Sequence, residues 1–422
     1  MEGLFIEMGP FRVRNNGEEV NRNPWTWNRI ANIIYLDAPA GVGFSYYNTS
    51  KKVFTDDEVA QDNYDALKLW FQNFPERKTN DFYIAGESYG GTYVPMLSSK
   101  ISKNSTDFPQ FKGMLVGNGC VDDKINFNTN MMYQYYHAVM DEGQMQKVVS
   151  NCCNNVLECD FYSLAQKNTD CGNMTTDLSY SIYYTGYDPY FLYFACYLNP
   201  KLPYPPHEEI SRTTVLRNHL YKKVTGRIAP PMEAIEGQPD CASHSDHFPY
   251  VNSAEVRRVL RIPDYVPEYT MCNNEIAENY ISQYQTMKQF FNDVIDASKR
   301  VAMFNGDADT LCNYVENSQF VYKTLQRALK TPMSPWKDPN QLPMAVGQVT
   351  EYDGITLISI KGGGHFPAAT EQKPKETFQM FQNYIKNQSY STPVTFDKAF
   401  EKSASAMGIF NVFMMVLAFL LV

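Results

Sequence analysis

A serine set between glycines is the residue of this sequence best suited to nucleophilic chemistry. Residues 86–90 read Gly-Glu-Ser-Tyr-Gly, and a further glycine follows them. A serine on a sharp turn from a strand into a helix needs small neighbours, because the two backbones pass closely there. The apolar run 82–85 predicts the strand and residues 92–101 predict the helix, so Ser88 is the candidate nucleophile. The alternative is a serine that only caps the helix.

A nucleophilic serine needs a general base, and the base needs a carboxylate that orients it. The chain order serine, aspartate, histidine is typical of α/β-hydrolases. Among the 6 histidines, His365 alone follows both a buried-strand pattern and a glycine turn, which makes it the candidate base. Asp307 and Asp309 follow the strand pattern at 301–304, and the residues alone leave both open as the acid or as an Asx turn.

The elements that must hold these groups are short apolar runs that stop at glycine or aspartate. Such runs predict buried strands of a mostly parallel sheet. They occupy residues 33–36, 82–85, 114–116, 301–304 and 355–360. Helical periodicity lies between some of them, most clearly over 56–73. This alternation predicts an α/β fold.

The pattern changes between residues 120 and 250, where strand signals thin out and tyrosines and prolines accumulate. Six of the 9 cysteines cluster between residues 152 and 241, namely Cys152, Cys153, Cys159, Cys171, Cys196 and Cys241. The clustering indicates disulfides; a zinc site would need two Cys-x-x-Cys pairs or a nearby histidine pair, which this stretch lacks. We therefore predict a core over 1–119 and 251–390, an inserted disulfide-stapled cap domain over 120–250, and a tail over 391–422.

Charge and glycosylation sequons narrow the class of protein. Acidic residues outnumber basic residues by 46 to 37, and the net charge of −9 argues against a nucleic-acid partner. Hydrophobic residues make up 44% of the chain, which is enough for a sizeable core. Sequons begin at Asn48, Asn104, Asn173 and Asn387. Together with the cysteines they predict passage through the secretory pathway to a lysosomal or extracellular location.

Both ends of the chain are unusual for such a protein. The first residues lack the basic and apolar regions of a signal peptide, so we expect the natural N-terminus to lie upstream of Met1. Residues 407–422 form an almost unbroken apolar run, short of the roughly 20 residues of a spanning helix. This run predicts a membrane tether, by insertion or through a lipid-anchor signal; the alternative is an apolar helix docked on the protein.

Five segments together closely resemble the serine carboxypeptidases, including the lysosomal cathepsin A type. The segments are 4–11 (Leu-Phe-Ile-Glu-Met-Gly-Pro-Phe), 37–46 (Asp-Ala-Pro-Ala-Gly-Val-Gly-Phe-Ser-Tyr), 86–91, 306–309 (Gly-Asp-Ala-Asp) and 364–365 (Gly-His). The match extends over nearly the whole chain, to about residue 390. It implies an α/β-hydrolase fold with an inserted cap domain, and an enzyme that releases C-terminal amino acids from peptides.

The resemblance implies roles for single residues. The second aspartate of the Gly-Asp-x-Asp motif is catalytic in the family, which selects Asp309 and leaves Asp307 as a turn residue. Glu87 and Glu7 match the carboxylates that hold the terminal carboxylate of the substrate. Two close carboxylates share a proton, which raises one pKa and favours binding at acidic pH. The backbone N–H of Tyr89 matches one donor of the oxyanion hole, and no metal or cofactor is implied.

The resemblance also implies how the cysteines pair. The expected bridges join Cys152 to Cys171, Cys153 to Cys159 and Cys196 to Cys241. Cys312, which lies shortly after the candidate acid, resembles a free thiol near the active site of relatives. Cys120 has no partner in this scheme.

Two features depart from the family pattern. The family carries the segment Asn-Gly-Gly-Pro-Gly-Cys-Ser-Ser just before the stretch that begins here at Met1. Its asparagine binds the substrate carboxylate, a glycine N–H forms half of the oxyanion hole, and its cysteine pairs with one that resembles Cys272. We expect the N-terminal strands of the sheet to be missing with it. After His365, Pro367 stands at the second position, where relatives usually have proline at the third.

Three hypotheses about function follow. The first is an active serine-type carboxypeptidase whose partners are peptide substrates. The second is a carboxypeptidase-like binding module with weak or no catalysis, because losing one oxyanion donor costs roughly 10²–10³ in rate. The third is an acyltransferase on the same scaffold. The sequence leaves open a homodimer, the preferred C-terminal residue and proteolytic maturation.

Overall fold

A computed structural model describes residues 2–46, 51, 53–184, 187–193, 212–230, 246–270, 272–340 and 344–395. Its strands are β1 (Phe11–Arg14), β2 (Glu19–Arg22), β3 (Phe82–Glu87), β4 (Phe111–Gly117), β5 (Arg300–Gly306), β6 (Leu329–Lys337), β7 (Ala345–Tyr352) and β8 (Ile355–Ile360). Its α-helices are α1 (Glu2–Phe5), α2 (Asp56–Asn73), α3 (Gly90–Lys103), α4 (Asp123–Tyr136), α5 (Glu142–Cys152), α6 (Phe161–Ala165), α7 (Asp170–Ser179), α8 (Arg212–Thr225), α9 (His247–Asn252), α10 (Ala254–Val259), α11 (Asn274–Asn279), α12 (Lys288–Asp296), α13 (Tyr314–Gln319) and α14 (Pro374–Ile385).

A six-stranded sheet with the order β3-β4-β5-β8-β7-β6 organises the core. The pairings β3–β4, β4–β5 and β5–β8 are parallel, so the carboxyl ends of these strands lie at one edge. β7 and β6 continue the sheet in antiparallel pairings, and β1 and β2 form a separate antiparallel sheet. Ligands of open α/β sheets bind beyond the carboxyl ends of the strands, so a site is expected at this edge.

The central strands alternate their side chains between two apolar clusters, one on each face of the sheet. In β5, Val301 and Met303 belong to the cluster that includes residues of α2, α3 and α12, whereas Ala302 and Phe304 belong to the other. The second cluster contains residues of α14 and of the N-terminal segment, including Trp27. Because both faces are covered, these strands are apolar throughout and not in alternate positions only.

The helix predicted over 56–73 is α2, and a capping box fixes its start. Thr55 Oγ1 accepts a hydrogen bond from Glu58 N at 3.3 Å, and the Glu58 carboxylate accepts one from Thr55 N at 3.2 Å. The apolar face of the helix, with Val59, Leu67 and Phe71, is buried. The sequence therefore encodes α2, the α-helix before β3, through both its cap and its periodicity.

Four of the five predicted strands are confirmed as β3, β4, β5 and β8. The prediction at 33–36 is wrong, because this segment forms no strand, although Ile33 and Ile34 pack against opposite apolar clusters. An apolar run produces the sequence pattern of a buried strand, but a strand needs several consecutive backbone pairs, and within 33–36 only Tyr35 is a bridge residue. β6 carries no strand signal in the sequence, because its residues are mostly exposed and include Pro332 and Pro335.

The described residues between β4 and β5 contain helices and no strand, and α4 to α8 surround their own apolar cluster. Disulfides join Cys152 to Cys171 and Cys153 to Cys159 at this cluster, as predicted. The predicted bridge between Cys196 and Cys241 lies outside the described residues, as does the apolar run 407–422. Within the described ranges, no helix combines the length and the apolar character needed to cross a membrane. The predicted domain boundaries stay predictions.

Candidate active site

Ser88 lies on the turn between β3 and α3 with a φ of +76°. A serine seldom adopts this left-handed region, so its surroundings must hold it there. Ser88 N donates to Gly117 O at 3.2 Å, and Gly91 N donates to Ser88 O at 2.8 Å. Space requires the glycines nearby: a Cβ on Gly86 would lie 2.6 Å from a valine side chain of α3, and one on Gly91 would lie 2.8 Å from Cys120 N.

Asp309 and His365 meet in the interior at the carboxyl edge of the sheet. Asp309 follows β5 and His365 follows β8, and these two strands pair directly. His365 Nδ1 lies 2.8 Å from Asp309 Oδ2, and both side chains are 0% exposed. A carboxylate at Nδ1 fixes the imidazole so that Nε2 is left for proton transfer. His365 Nε2 is buried and makes no hydrogen bond to any residue that the structure describes.

Further donors complement the carboxylate of Asp309. Leu311 N donates to Oδ1 at 2.8 Å, and Cys312 N donates to Oδ2 at 3.2 Å. Asn118 Nδ2 donates to Oδ2 at 2.8 Å, while Asn118 Oδ1 accepts from Gly306 N at 2.9 Å. Asn118 therefore ties the ends of β4 and β5 to the acid. Its only signal in the sequence is a Gly-Asn-Gly turn after a predicted strand, so sequence reasoning does not single it out.

Asp307, the other candidate acid, makes a different contact. Its side chain is exposed, and its Oδ1 accepts a hydrogen bond from Gly362 N at 2.6 Å. This contact joins the turn after β5 to the turn after β8. The geometry thus places Asp309 rather than Asp307 against His365, in agreement with what the resemblance implies.

A short segment between β4 and β5 packs against His365. Tyr190 and Phe366 flank the imidazole, with ring centroids 5.2 and 4.9 Å from it. His365 N also donates to Tyr190 O at 2.6 Å. The same segment holds the acid loop, because Leu192 N donates to Ala308 O at 3.0 Å. Sequence reasoning does not reveal Tyr190, since nothing local to it refers to a histidine so distant in the chain.

The three candidate triad residues thus lie at one edge of the sheet, and the structure brings two of them into contact. Ser88 follows β3, Asp309 follows β5 and His365 follows β8. Between the described residues Ser88 and His365 there is no hydrogen bond. Catalytic hydrogen bonds are often long without substrate and tighten in the complex, so this arrangement is compatible with a triad.

The two glutamates predicted to bind the substrate carboxylate are both buried near the nucleophile turn. Glu87, the last residue of β3, is 3% exposed, and Glu7 is 1% exposed. Burial and then the negative charge of Glu7 raise the pKa of Glu87 well above its usual value, and Asp309 and Glu2 add to this shift. Glu2, also buried, is a third carboxylate that the sequence does not suggest. The environment therefore favours a proton on Glu87.

Residues near the N-terminus hold the backbone of Glu7. Asn23 Nδ2 donates to Glu7 O at 3.1 Å and to Gly9 O at 2.8 Å, and the Arg12 guanidinium also donates to Glu7 O. Burial lowers the pKa of Arg12 to about 10, although the charges of Glu371 and Glu7 oppose the shift. Glu7 is thus fixed through its main chain, and its carboxyl group forms a side-chain hydrogen bond with that of Glu87.

Tyr89, whose N–H is the predicted oxyanion donor, is anchored at its hydroxyl. Tyr89 Oη donates to Asp56 Oδ1 at 3.0 Å and lies 2.8 Å from Ser282 Oγ. Asp56 is buried and also accepts from Tyr280 Oη at 2.9 Å and Gln283 N at 2.6 Å. Tyr89 immediately precedes α3, and the first N–H groups of a helix have no acceptor within it. Its N–H is therefore suited to a developing negative charge.

The prediction of a free thiol at Cys312 is wrong, because a disulfide joins it to Cys120, with Cα atoms 5.0 Å apart. Cys120 follows β4 and Cys312 follows β5, so the parallel pairing of these strands brings together residues separated by 192 positions. Glu316 lies within 4.8 Å of both sulfurs, the one metal-type grouping among the described residues. The disulfide uses both sulfurs, and the Glu316 carboxylate accepts from Val121 N and Asn126 Nδ2. This grouping therefore lacks open ligands for a metal.

Comparison with known proteins decides the family. A family model described as serine carboxypeptidase matches residues 1–387. The chain belongs to the serine carboxypeptidase family. It is 34% identical over 410 residues to serine carboxypeptidase ctsa-4.1 of Caenorhabditis elegans, which covers 93% of this chain and 82% of that protein. It is 30% identical over 401 residues to the lysosomal protective protein of Mus musculus, and this match covers 92% of this chain and 82% of that protein.

A solved structure supports the fold. The crystal structure of Kex1(delta)p, a prohormone-processing carboxypeptidase from Saccharomyces cerevisiae, is similar, with a TM-score of 0.62 and 18% identity over 91% of this chain and 80% of that one. The likeness confirms the predicted α/β-hydrolase class with a mostly parallel central sheet. As a member of the serine carboxypeptidase family, the protein is a hydrolase of the protease class.

Proposed function

We propose that this serine carboxypeptidase family member cleaves the C-terminal peptide bond of peptides with Ser88, His365 and Asp309 as its triad. The observation that carries the proposal is the buried contact of 2.8 Å between His365 Nδ1 and Asp309 Oδ2. The contact lies at the same edge of the sheet as Ser88, whose φ is +76°. Strained turns of this kind persist at functional sites, and an aspartate at Nδ1 stabilises the imidazolium that forms during catalysis.

In the proposed mechanism Ser88 Oγ attacks the scissile carbonyl carbon while His365 Nε2 takes the serine proton. The tetrahedral oxyanion forms beside the N–H of Tyr89. Its collapse breaks the C–N bond, and His365 gives its proton to the nitrogen of the departing amino acid. Water then attacks the acyl-enzyme with His365 as base, and Ser88 regains its proton as the shortened peptide leaves. The contact of Tyr89 with Asp56 steadies the oxyanion donor.

Specificity for the chain end is assigned to Glu87 and Glu7, which bind the terminal carboxylate of the substrate. A proton shared by the two glutamates turns the pair into a donor toward an anion, whereas two ionised glutamates would repel it. Because burial and Glu7 raise the pKa of Glu87, the proton is retained to a higher pH than on an ordinary glutamate, and it is lost as pH rises further. Binding is therefore strongest at acidic pH.

The experiment that tests the proposal measures release of the C-terminal amino acid from an N-blocked dipeptide at acidic pH. Ser88→Ala is expected to lower kcat by about 10⁴-fold or more. Ser98→Ala is the matched control, because Ser98 is a buried serine of α3 that lies outside the triad, and kcat should not change. Equal turnover by the wild-type protein and Ser88→Ala would overturn the proposal.

Product analysis separates the proposed hydrolysis from the two other hypotheses. With an added alcohol in water, a hydrolase forms mainly the shortened acid. A predominance of the ester would favour an acyltransferase. Saturable binding of the dipeptide without release of its last residue would favour a binding module.

We also propose that the protein passes through the secretory pathway to a lysosomal or extracellular location. Its disulfides require an oxidising compartment. The sequon residues Asn104, Asn173 and Asn387 are exposed, whereas Asn48 lies outside the described residues. One relative is named lysosomal protective protein. Glycopeptide mapping tests this proposal, and unmodified asparagine at every sequon would count against it. The membrane tether through 407–422 and the homodimer stay predictions.

A further inference from the structure

A disulfide lies where the loops that carry the proposed triad converge. Cys120 follows β4, and Cys312 comes three residues after Asp309. Each half contacts a different triad residue through its backbone. Cys120 N donates to Ser88 O at 3.0 Å, and Cys312 N donates to Asp309 Oδ2 at 3.2 Å. One covalent link thus joins two loops, one hydrogen-bonded to the nucleophile turn and the other to the acid.

The same disulfide packs against the groups that flank His365. Cys312 is buried in a small apolar cluster with Tyr190, and Cys120 and Phe366 are partly buried against that cluster. Tyr190 and Phe366 are the two rings in contact with the imidazole. Every member of the proposed triad therefore touches the disulfide or a residue packed with it.

Hydrogen bonds join the two loops beside the disulfide. Asn317 Nδ2 donates to Gly119 O at 2.8 Å, and Glu316 Oε1 accepts from Val121 N at 2.9 Å. These bonds keep the loops adjacent without the disulfide, whereas the covalent link limits how far the loops can shift. Loss of the disulfide should therefore loosen the site without dismantling the fold.

We propose that the Cys120–Cys312 disulfide is a positioning element for the triad, which holds the Ser88 turn in register with Asp309 and His365. The inference rests on the proposed function and goes beyond it, because it gives a catalytic task to a covalent link outside the triad. Misplacing reacting groups by about 1 Å costs on the order of 10²-fold in rate. Loss of the disulfide should therefore lower kcat and leave KM unchanged.

The double variant C120A/C312A tests the inference. We expect kcat for the blocked dipeptide to fall by about 10- to 100-fold with little change in KM. C152A/C171A is the matched control, because it removes a disulfide from the helical cluster between β4 and β5. The control should lower Tm and leave kcat unchanged. Unchanged kcat in C120A/C312A, or an equal fall in the control, would overturn the inference.

A second readout does not depend on turnover. The low-field proton resonance of His365 Nδ1–H, assigned by its loss in His365→Ala, reports the contact with Asp309. If the wild-type protein releases no amino acid, the proposed function fails and this resonance decides the inference. A resonance that shifts or broadens only in C120A/C312A supports it, and one that is unchanged overturns it. If the double variant does not fold, Cys120→Ala, which keeps the buried Cys312, is measured in the same way.

Discussion

Two buried carboxylates at the carboxyl edge of the sheet, Asp309 and Glu87, lie in opposite environments. Asp309 accepts hydrogen bonds from His365 Nδ1, Asn118 Nδ2 and two backbone N–H groups. Glu87 is as inaccessible, yet among the described residues no N–H group donates to it. The charges that act on Glu87 are those of other carboxyl groups, with Glu7 first.

The difference fits the two tasks that we propose for one type of functional group within a single site. The donors around Asp309 complement a negative charge, which in turn stabilises an imidazolium. The lack of such donors around Glu87, together with burial and the charge of Glu7, favours the protonated form. We assign Asp309 to the chemical step and Glu87 to binding. A substitution of Asp309 should therefore change mainly kcat, and a substitution of Glu87 should change mainly KM.

Asp309→Asn tests the role assigned to Asp309 and has the largest expected effect. We expect kcat to fall by about 10⁴-fold with little change in KM, because an amide favours the wrong imidazole tautomer. Asp307→Asn is the matched control, since Asp307 Oδ1 accepts from Gly362 N and an amide oxygen can do the same. Steady-state kinetics on the blocked dipeptide measure both variants. Losses of similar size would contradict the assignment of the acid.

Glu87→Ala tests the role assigned to Glu87 in binding the substrate carboxylate. KM for a peptide with a free C-terminal carboxylate should rise by roughly 10- to 100-fold, because hydrogen bonds to charged groups contribute about 1.5–3 kcal/mol. Glu87→Gln keeps a hydrogen-bond donor at this position without its titration, so its KM should be lower than that of Glu87→Ala and should depend less on pH than that of the wild-type protein. A fall in kcat with an unchanged KM for Glu87→Ala would show that the residue acts in the chemical step instead.

Asn118→Gly sharpens the comparison by removing one donor from Asp309. Glycine is the suitable replacement because Asn118 is buried with a φ of +36°, which alanine tolerates poorly. We expect kcat to fall roughly tenfold and KM to stay unchanged. Asn63→Ala, at a buried asparagine of α2, is the control and should affect Tm and not kcat. Equal effects of both variants on kcat would argue against a role for Asn118 in orienting the acid.

Glu316→Gln tests whether burial raises a carboxyl pKa, as we assign to it at Glu87, even where hydrogen bonds from Asn126 and the backbone oppose the shift, and its effect is the smallest. Burial raises the pKa of Glu316 from 4.5 to about 8, so the folded protein keeps a proton that the unfolded chain loses between these values. Stability from this group is present in full below about pH 4.5 and is lost as pH rises toward about 8. Tm should therefore fall less steeply with pH in Glu316→Gln.

Calorimetry between pH 5 and 8 measures this slope. Glu376→Gln, on the first turn of α14, is a control at a glutamate outside this network. Identical slopes in the wild-type protein and Glu316→Gln would show that the carboxyl group of Glu316 does not titrate in this range.

Sequence patterns are sufficient where the geometry of the site is local. Ser88 stands on a strand-turn-helix whose glycines are adjacent in the chain, and His365 directly follows β8 and a glycine turn. Sequence patterns are insufficient where a side chain of the site comes from a distant part of the chain. Asn118 reaches Asp309 because β4 lies beside β5 in the sheet, and Tyr190 contacts the imidazole because the chain between β4 and β5 folds back onto the sheet edge. No local pattern encodes these arrangements.

The same physical reason accounts for the errors. The segment 33–36 has the apolar pattern of a strand, but a ladder depends on a neighbour that the pattern does not specify. β6 is a strand through its pairing with β7, despite exposed residues and two prolines. The pairing of Cys120 with Cys312 likewise follows from the adjacency of β4 and β5.

The most direct test of the division between chemistry and binding is KM as a function of pH for two substrates that differ only at the C-terminus. One is the blocked dipeptide acid and the other is its amide. We predict that KM for the acid is lowest at acidic pH and rises as the pH passes through the raised pKa of Glu87, while KM for the amide does not. A KM that rises equally for both substrates, or for neither, would contradict the assignment of Glu87 and Glu7 to the substrate carboxylate.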